Sequence, residues 1–167
     1  DTFNNNTSNI SPVIDTSRLS THLIRNFLFN PASGTTIDFV ADTAKSGGSS
    51  AAKYITRPIV LANESTALDV RLSAYVPGTS EVEVFYRLSK ADDARNMHDL
   101  VWTPFNTDGS PDTAVAPTDD NVTFREYQYS GSSLTTFTAF QLKLVMKGTV
   151  SSYPPRVKDL RGIALAV

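Results

Sequence analysis

The sequence predicts an all-β protein, an antiparallel β-sandwich of about seven or eight strands. Residues 67–76 and 81–88 alternate between apolar and polar side chains, which is the period of a strand with one buried face. Clusters of Gly, Pro, Asp and Ser separate the apolar segments at short intervals, as in sheets built from short strands. Helical spacing of apolar residues competes with strand spacing only in residues 19–27, so we expect little helix.

The first 33 residues are predicted to form an N-terminal arm, and residues 34–167 the sandwich domain. Residues 1–10 are rich in Asn, Thr and Ser and have no period, which is typical of an extended or poorly ordered segment. The rest of the arm is apolar enough to lie against a partner, and we expect an extended connector there. Its candidate docking residues are Val13, Ile14, Leu19, Leu23, Phe27 and Phe29.

Strand signals follow one another through the rest of the chain. They cover residues 54–61, 67–76, 81–88, 101–105, 123–130, 140–146 and 163–167. Pro58 predicts an edge position or a bulge for the first of them, and Gly162 predicts a bulge in the last. Residues 67–76 and 81–88 flank a turn at Pro77 and Gly78, which predicts an antiparallel hairpin. Residues 43–53, 90–99 and 106–121 are predicted loops, and the first is flexible by its composition.

The composition excludes several classes of partner. The 167 residues, 40% hydrophobic and 19% charged, fit one globular domain. With a net charge of −2 and no apolar run near the ~20 residues of a membrane span, we expect neither nucleic acid nor a membrane as partner. The lack of Cys excludes disulfides and indicates folding in a reducing cytosol. Because the chain begins at Asp1 and not Met, we expect a processed or excised piece of a longer polypeptide.

The sequence offers no catalytic set, and we expect a protein that is not an enzyme. No Ser lies in the G-x-S-x-G turn that exposes a nucleophile. Of the two histidines, His22 lies in the arm, and His98 adjoins Asp99, whose side chain should point away from it. A packed or solvated side chain is therefore the expectation for both histidines.

Calcium is the one cofactor for which the residues provide a weak candidate site. Asn106, Asp108 and Asp112 lie in a loop whose spacing is similar to that of a calcium-binding loop. However, position 12 counted from Asn106 is Pro117, and no bidentate Glu follows. Turn-forming Asn and Asp account for the same pattern. We therefore expect no cofactor and keep this loop as a weak calcium candidate.

Aromatic and basic residues form the candidate surface for a glycan or a partner. The set consists of Tyr75, Phe85, Trp102, Tyr127, Tyr129, Arg156, Lys158 and Arg161. The Tyr and Phe residues of this set fall on strand faces opposite the main apolar stripes, so we expect some of them to be exposed. Lys143 and Lys147 are candidates to extend the basic part into one positive patch, but the favoured interpretation for these lysines is a solvated strand face. Cross-strand packing of the aromatic rings and a solvated strand face are the alternatives.

The order of motifs along the chain carries a resemblance to a known family. YITRPIVL is followed by PGTSEVEVFYR, DLVWTPF, FREYQY, FTAFQLKLVMKGT and PPRVKDLRGIAL. This order, over residues 10–167, resembles the β-sandwich near the C-terminal end of large structural proteins of contractile-tailed bacteriophages, associated with the tail or baseplate. The preceding SPVIDTSRLS resembles the lead-in of those proteins. More loosely, PGTSEVEVFYR and FQLKLVM resemble jelly-roll carbohydrate-binding and discoidin-like modules.

The resemblance implies a non-enzymatic virion protein of the tail, baseplate or fibre, with a jelly-roll-like fold. It implies synthesis in the host cytoplasm and assembly by docking to other virion proteins or to further copies of itself, as a homo-oligomer. The alternative is a carbohydrate-binding module that recognises glycans on the host surface.

Overall fold

The computed structural model describes residues 40–50, 52–78, 80–113, 115, 123–148 and 154–166. Within these ranges the chain forms the strands β1 Lys53–Ile55, β2 Ile59–Ser65, β3 Ala67–Tyr75, β4 Glu81–Ser89, β5 Thr103–Pro104, β6 Arg125–Gly131, β7 Phe137–Lys147 and β8 Arg156–Leu165, with a 3₁₀ turn at Met97–Asp99. The predicted arm, residues 1–33, with its candidate docking residues and His22, lies outside the described residues. In the described ranges no helix has the length and apolar character that crossing a membrane requires.

The strands form two antiparallel sheets packed against each other, which confirms the predicted sandwich. The larger sheet has the order β1-β7-β4-β5, with β2 also pairing with β7, and the smaller sheet has the order β6-β3-β8. The long strand β7 is central: β4 lies along one side of it, and β1 and β2 lie one after the other along the other side. Neighbours that are distant in sequence, such as β3 and β8, show that the connections between strands cross over.

The predicted hairpin between β3 and β4 is wrong. β3 pairs with β6 and β8, whereas β4 pairs with β5 and β7 in the other sheet. The turn itself is present: Gly78 has a φ of 50°, and the Ser80 amide donates to the Pro77 carbonyl oxygen at 2.9 Å. A turn signal predicts where the chain reverses but not which strand edges then pair. Here the two strands face each other across the core because each has one apolar face to bury.

The core between the sheets is built from the apolar faces of the long strands. Its most deeply buried members include Leu68, Val70, Leu72, Val84, Phe105, Tyr129, Phe137, Phe140, Leu142 and Leu144. Residues 68, 70 and 72 of β3 and residues 140, 142 and 144 of β7 recur at every second position, as the alternation predicts. Burial on this scale is the main stabilising contribution to the fold, at about 25 cal/mol for each Å² of apolar surface removed from water.

The last strand contains a β-bulge, but earlier than the sequence predicts. Ser73 pairs with Lys158 and Arg71 pairs with Arg161, so two residues, Asp159 and Leu160, lie opposite one position of β3. Asp159 adopts a φ of 53°. Gly162 has a different role, because a Cβ atom at this position would lie 3.2 Å from a ring carbon of Phe140. The glycine lets β8 lie closely over the core.

Candidate functional site

The aromatic residues of the predicted surface are buried. Tyr75, Phe85, Trp102, Tyr127 and Tyr129 expose no more than 6% of their area, the value for Tyr127. The expectation that some of them are exposed is wrong. On β6, Tyr127 and Tyr129 face the core, whereas the residues that alternate with them, such as Gln128, are polar and exposed to solvent. These five rings therefore do not form an exposed platform on which a sugar could stack.

Phe85 and Trp102 are buried on the outer face of the larger sheet, together with Val145. A segment that we call the cap, residues 40–50, folds back over this face. Gly47 and Gly48 have φ values of 88° and 81°, which reverse the chain there. The Trp102 amide donates to the Thr43 carbonyl oxygen at 2.9 Å, and this hydrogen bond attaches the cap to the cluster. The sequence predicts a flexible loop here, and the structure places its main part as a cover.

Lys143 lies beneath the cap and is fully buried, so the prediction that it belongs to a solvated face is wrong. Its ammonium donates to the Gly47 carbonyl oxygen at 3.2 Å and also to the Asp42 carbonyl oxygen. The same Nζ atom lies 4.3 Å from the ring centroid of Phe85. Burial lowers the pKa of Lys143 to about 8, and the negative charge of Asp42 opposes that effect. Backbone carbonyls and an aromatic face replace the water that this charge has lost.

Arg87 extends the same cluster toward the surface. Its guanidinium lies 4.3 Å from the ring centroid of Trp102. Its Nε–H group donates to the Gln141 side chain at 2.7 Å, and Nη1 donates to the Leu100 carbonyl oxygen at 3.3 Å. Nη2 lies 3.2 Å from Nδ1 of His98. Burial lowers the pKa of Arg87. The residue thus attaches the β4–β5 connection to the central strand β7 and is positioned as a structural anchor.

A cleft of about 700 Å³ lies beside β4. One wall consists of residues from the β4–β5 connection and of Thr103, the first residue of β5, and the other is the β6–β7 loop, residues 133–136. Residues 86–88 of β4 form the floor, and Lys45 of the cap lies at the rim. A volume of this size is within the range of small-molecule sites. No sequence pattern predicts this site, because its parts are separated along the chain and carry no local motif.

Four basic and two acidic side chains line the cleft, which gives it a net charge of +2. Among the basic ones, Arg87 is the anchor described above. The Arg95 guanidinium donates two hydrogen bonds to Asp93, at 2.9 and 2.7 Å, and its backbone amide donates a third, at 3.0 Å. These bonds lower the pKa of Asp93 to about 2, so its carboxylate is ionised at neutral pH. Lys45 and Lys90 are exposed, and neither forms an ion pair within the described residues. They are the cleft's available positive charges.

The predicted basic residues lie elsewhere, on the outer face of the smaller sheet. The bulge in β8 places Arg161 on the same face as Arg156 and Lys158. Arg161 is paired with Glu126 at 2.5 Å, so this end of the face carries both signs of charge. Arg156 lies over the ring of Tyr75, with its guanidinium carbon 4.4 Å from the ring centroid. This packing on the ring restricts the movement of the Arg156 guanidinium.

The predicted extension of this patch by Lys143 and Lys147 is wrong, because β7 and β8 belong to different sheets. Lys147 instead forms an ion pair with Glu83, at 2.5 Å, across the β4–β7 pair of the larger sheet. Burial raises the pKa of Glu83, and the hydrogen bond from Lys147 opposes that effect. The basic face of the smaller sheet therefore comprises β8 residues without a contribution from β7.

The three residues of the calcium candidate hold a turn together. The Asn106 side-chain amide donates to the Ser110 carbonyl oxygen at 2.8 Å and to a carboxylate oxygen of Asp112 at 3.3 Å. Asp108 accepts from the Ser110 amide at 2.9 Å, and Asp112 accepts from the Ser130 hydroxyl at 2.6 Å. In the part of the chain that the structure describes, no group of three His, Asp or Glu side chains is arranged to hold a metal ion.

A scan against protein-family models gives no matching family for the chain, and a search of the curated proteins gives no match either.

Proposed function

We propose that this domain is a non-enzymatic structural component of a bacteriophage virion, of the tail, baseplate or fibre, and that it acts in assembly by docking to a second copy of itself. The order of sequence motifs supports the virion setting. The docking mode is supported by one edge of the larger sheet, which has the features of an interface.

The observation that carries this proposal is the apolar character of the β1–β2 edge. Ile55, Ile59 and Val60 are 36%, 38% and 79% exposed, which is unusual for large aliphatic residues within one short segment. Ile59 and Val60 are successive residues of a strand and point to opposite faces, yet neither is covered. An edge strand with exposed aliphatic groups readily accepts a further strand.

A second copy is the occupant that the charges of this edge favour. In an antiparallel β2–β2 contact centred between Val60 and Leu61, the apolar residues of both copies meet at the middle. The same register places Arg57 opposite Glu64 of the other copy, on both sides of the two-fold axis. Both residues are exposed, and neither has an ion-pair partner within the described ranges. The edge is thus complementary to itself.

The test is the molar mass of the protein in solution, measured by light scattering over a range of concentrations. We expect a dimer that Val60→Lys dissociates, whereas Gln128→Lys, which adds the same charge to an exposed site of the other sheet, leaves it intact. Arg57→Glu alone should weaken the dimer, and Arg57→Glu combined with Glu64→Arg should restore it. A wild-type protein that remains monomeric at every concentration contradicts the proposal, as does a charge reversal without rescue.

The apolar arm is proposed to add a second contact to a neighbouring subunit. Its residues Val13 to Phe29 carry many apolar groups before the sandwich begins. Removal of residues 1–33 should therefore weaken association without unfolding the sandwich, which circular dichroism checks. An association constant that is unchanged by this truncation contradicts a role for the arm.

Carbohydrate recognition is the second candidate function, and the cleft beside β4 favours it. The cleft combines charged groups, hydroxyl groups and partly buried apolar groups, as sugar sites do. The buried aromatic rings of the predicted surface do not contribute. Binding to a glycan array, lost on changing residues of the cleft, would support this function, and an array without any signal would count against it.

A further inference from the structure

We propose that the cleft beside β4 binds a saccharide that carries a carboxylate group, such as a uronic acid or a sialic acid residue. This inference rests on the second candidate function, carbohydrate recognition, and adds the chemical class of the ligand and the residues that select it.

The charge of the cleft points to an anionic ligand. Arg87 and Arg95 are already engaged, by Gln141 and Leu100 in one case and by Asp93 in the other. Lys45 and Lys90 remain exposed at the cleft with no ion pair among the described residues. An ammonium group accepts a carboxylate as a point charge from many directions, so both lysines suit a small acid that approaches from solvent. A neutral sugar would not form an ion pair with either lysine.

The walls of the cleft favour a ligand with many hydroxyl groups. Thr103, Ser133, Thr135 and Thr136 are exposed and bring four hydroxyl groups to the two walls. Each can donate and accept hydrogen bonds, as the hydroxyl groups of a sugar also can. Asp99 adds a carboxylate that only accepts. An acidic peptide has few side-chain donors for these acceptors.

Partly buried apolar groups complete the site. Tyr86 on the floor and Leu134 on the β6–β7 wall are neither fully buried nor fully exposed. Such groups can lie against the C–H face of a pyranose ring and exclude water from it. An acidic sugar fits this site better than a phosphate or a peptide does, because it can contact the exposed lysines, the hydroxyl groups of the walls and the apolar groups at the same time.

The cleft wall is held in place by the buried cluster beneath it. Arg87 lies over Trp102 and donates to Leu100, so residues of the β4–β5 connection are attached to the sheet below. Gln141, which accepts from Arg87, donates in turn to the Thr56 carbonyl oxygen at 2.5 Å. A wall that is positioned before the ligand arrives lowers the entropic cost of binding.

The experiment uses two matched pairs of probes, measured by calorimetry with the full chain. The pairs are trigalacturonate with its methyl ester, and sialyllactose with its methyl ester, so each acid has a neutral partner on the same sugar skeleton. We expect binding to at least one acid and at least about tenfold weaker binding to its neutral partner. Lys45→Gln combined with Lys90→Gln should weaken binding of the acid by about tenfold or more.

Arg125→Gln is the control for a general loss of positive charge, since it removes an exposed positive charge of the smaller sheet, outside the cleft. This variant should bind the acid as the wild type does. Thermal unfolding of the lysine variants should be unchanged, because both lysines are exposed. A poly-glutamate peptide is the third kind of probe and should not bind.

Each other outcome overturns a defined part of the inference. Equal binding of acid and neutral partner, lost on changing the cleft, overturns the acidic class but leaves carbohydrate recognition in place. No binding to any saccharide overturns both. Binding of the poly-glutamate peptide in place of the saccharides shows a protein-docking site, and unchanged binding of the acid by the double lysine variant shows that the site lies elsewhere.

Discussion

The hydroxyl group of Tyr129 donates a hydrogen bond of 2.9 Å to the carbonyl oxygen of Val82 across the interface between the two sheets. Tyr129 belongs to β6 in the smaller sheet, and Val82 belongs to β4 in the larger one. The tyrosine is completely buried, and burial raises its pKa well above the ordinary value. A directional bond in an otherwise apolar core fixes how the sheets lie on each other.

Replacement of this tyrosine by phenylalanine should lower the free energy of unfolding by about 1–2 kcal/mol, because the Val82 carbonyl loses a partner where no water replaces it. Urea unfolding followed by circular dichroism measures the change. Tyr127→Phe is the control on the same strand, since its hydroxyl forms no hydrogen bond with the described residues, and should cost less than about 0.5 kcal/mol. Equal losses for the two variants would show that the inter-sheet bond contributes nothing.

Trp102 is expected to act as a structural residue and not as a binding residue. Trp102→Ala removes the centre of the outer cluster and should lower the free energy of unfolding by about 3–5 kcal/mol. The neighbouring Val101 is 61% exposed, so Val101→Ala should change it by less than about 0.5 kcal/mol. Thermal unfolding compares the two variants. A Trp102→Ala protein as stable as the wild type would contradict the buried position.

The turn of the cap should tolerate no side chain at Gly48. Its φ is +81°, and a Cβ atom there would lie 2.5 Å from a carboxylate oxygen of Asp42 and 2.7 Å from its Cα atom. Gly48→Ala should therefore lower the free energy of unfolding by about 2 kcal/mol or more.

Gly78→Ala is the control for backbone strain without a clash. Gly78 also has a positive φ, of +50°, but a Cβ atom there would meet nothing within 4 Å. Gly78→Ala should lower the free energy of unfolding by about 1 kcal/mol. Both values come from urea unfolding, and equal losses would show that the contact with Asp42 has no energetic cost.

Stability should rise with pH in the alkaline range because of Lys143. Its pKa is about 8 in the folded protein, below the ordinary value of 10.5. Between these values the unfolded chain binds a proton that the folded chain does not, so the free energy of unfolding increases with pH. The gain between about pH 8 and 10 is at most roughly 3 kcal/mol. Above about pH 10 the tyrosines act in the opposite sense, since burial raises their pKa values in the folded protein.

Urea unfolding at a series of pH values measures this dependence. Lys143→Met keeps a side chain of similar length without a titrating group, so its free energy of unfolding should not rise between about pH 8 and 10. The same rise in the variant and in the wild type would assign the effect to another group.

The alternation of apolar and polar residues predicts the faces of the strands well. It places Leu142 and Leu144 toward the core and Lys143 on the opposite face, and both assignments are correct. It does not predict that this outer face of the larger sheet is shielded from water. That depends on the cap, which precedes β7 by about a hundred residues and whose Gly and Ser content is equally typical of a free loop. The cap covers β7 only through tertiary contacts, and no local sequence pattern predicts such contacts.

The candidate site shows the same limit more strongly. The basic residues of β8 are predicted to share a surface, and they do. The cleft, however, combines Lys45, Lys90 and Thr135 from three loops. Each of these residues is ordinary for a loop, and only the sandwich brings them together. The sequence predicts strands from their own residues, whereas a site between loops requires the order of strands in space.

The bulge at Asp159 and Leu160 has a consequence for how this chain tolerates changes in length. Before it Arg156 and Lys158 point outward, and after it Arg161 does, because the extra residue reverses the alternation. Deletion of either bulge residue would bring the guanidinium of Arg161 into the interior and turn the tightly fitted Gly162 away from Phe140. Insertions and deletions are therefore far more damaging here than in the connecting loops, and length variation among relatives should avoid this strand.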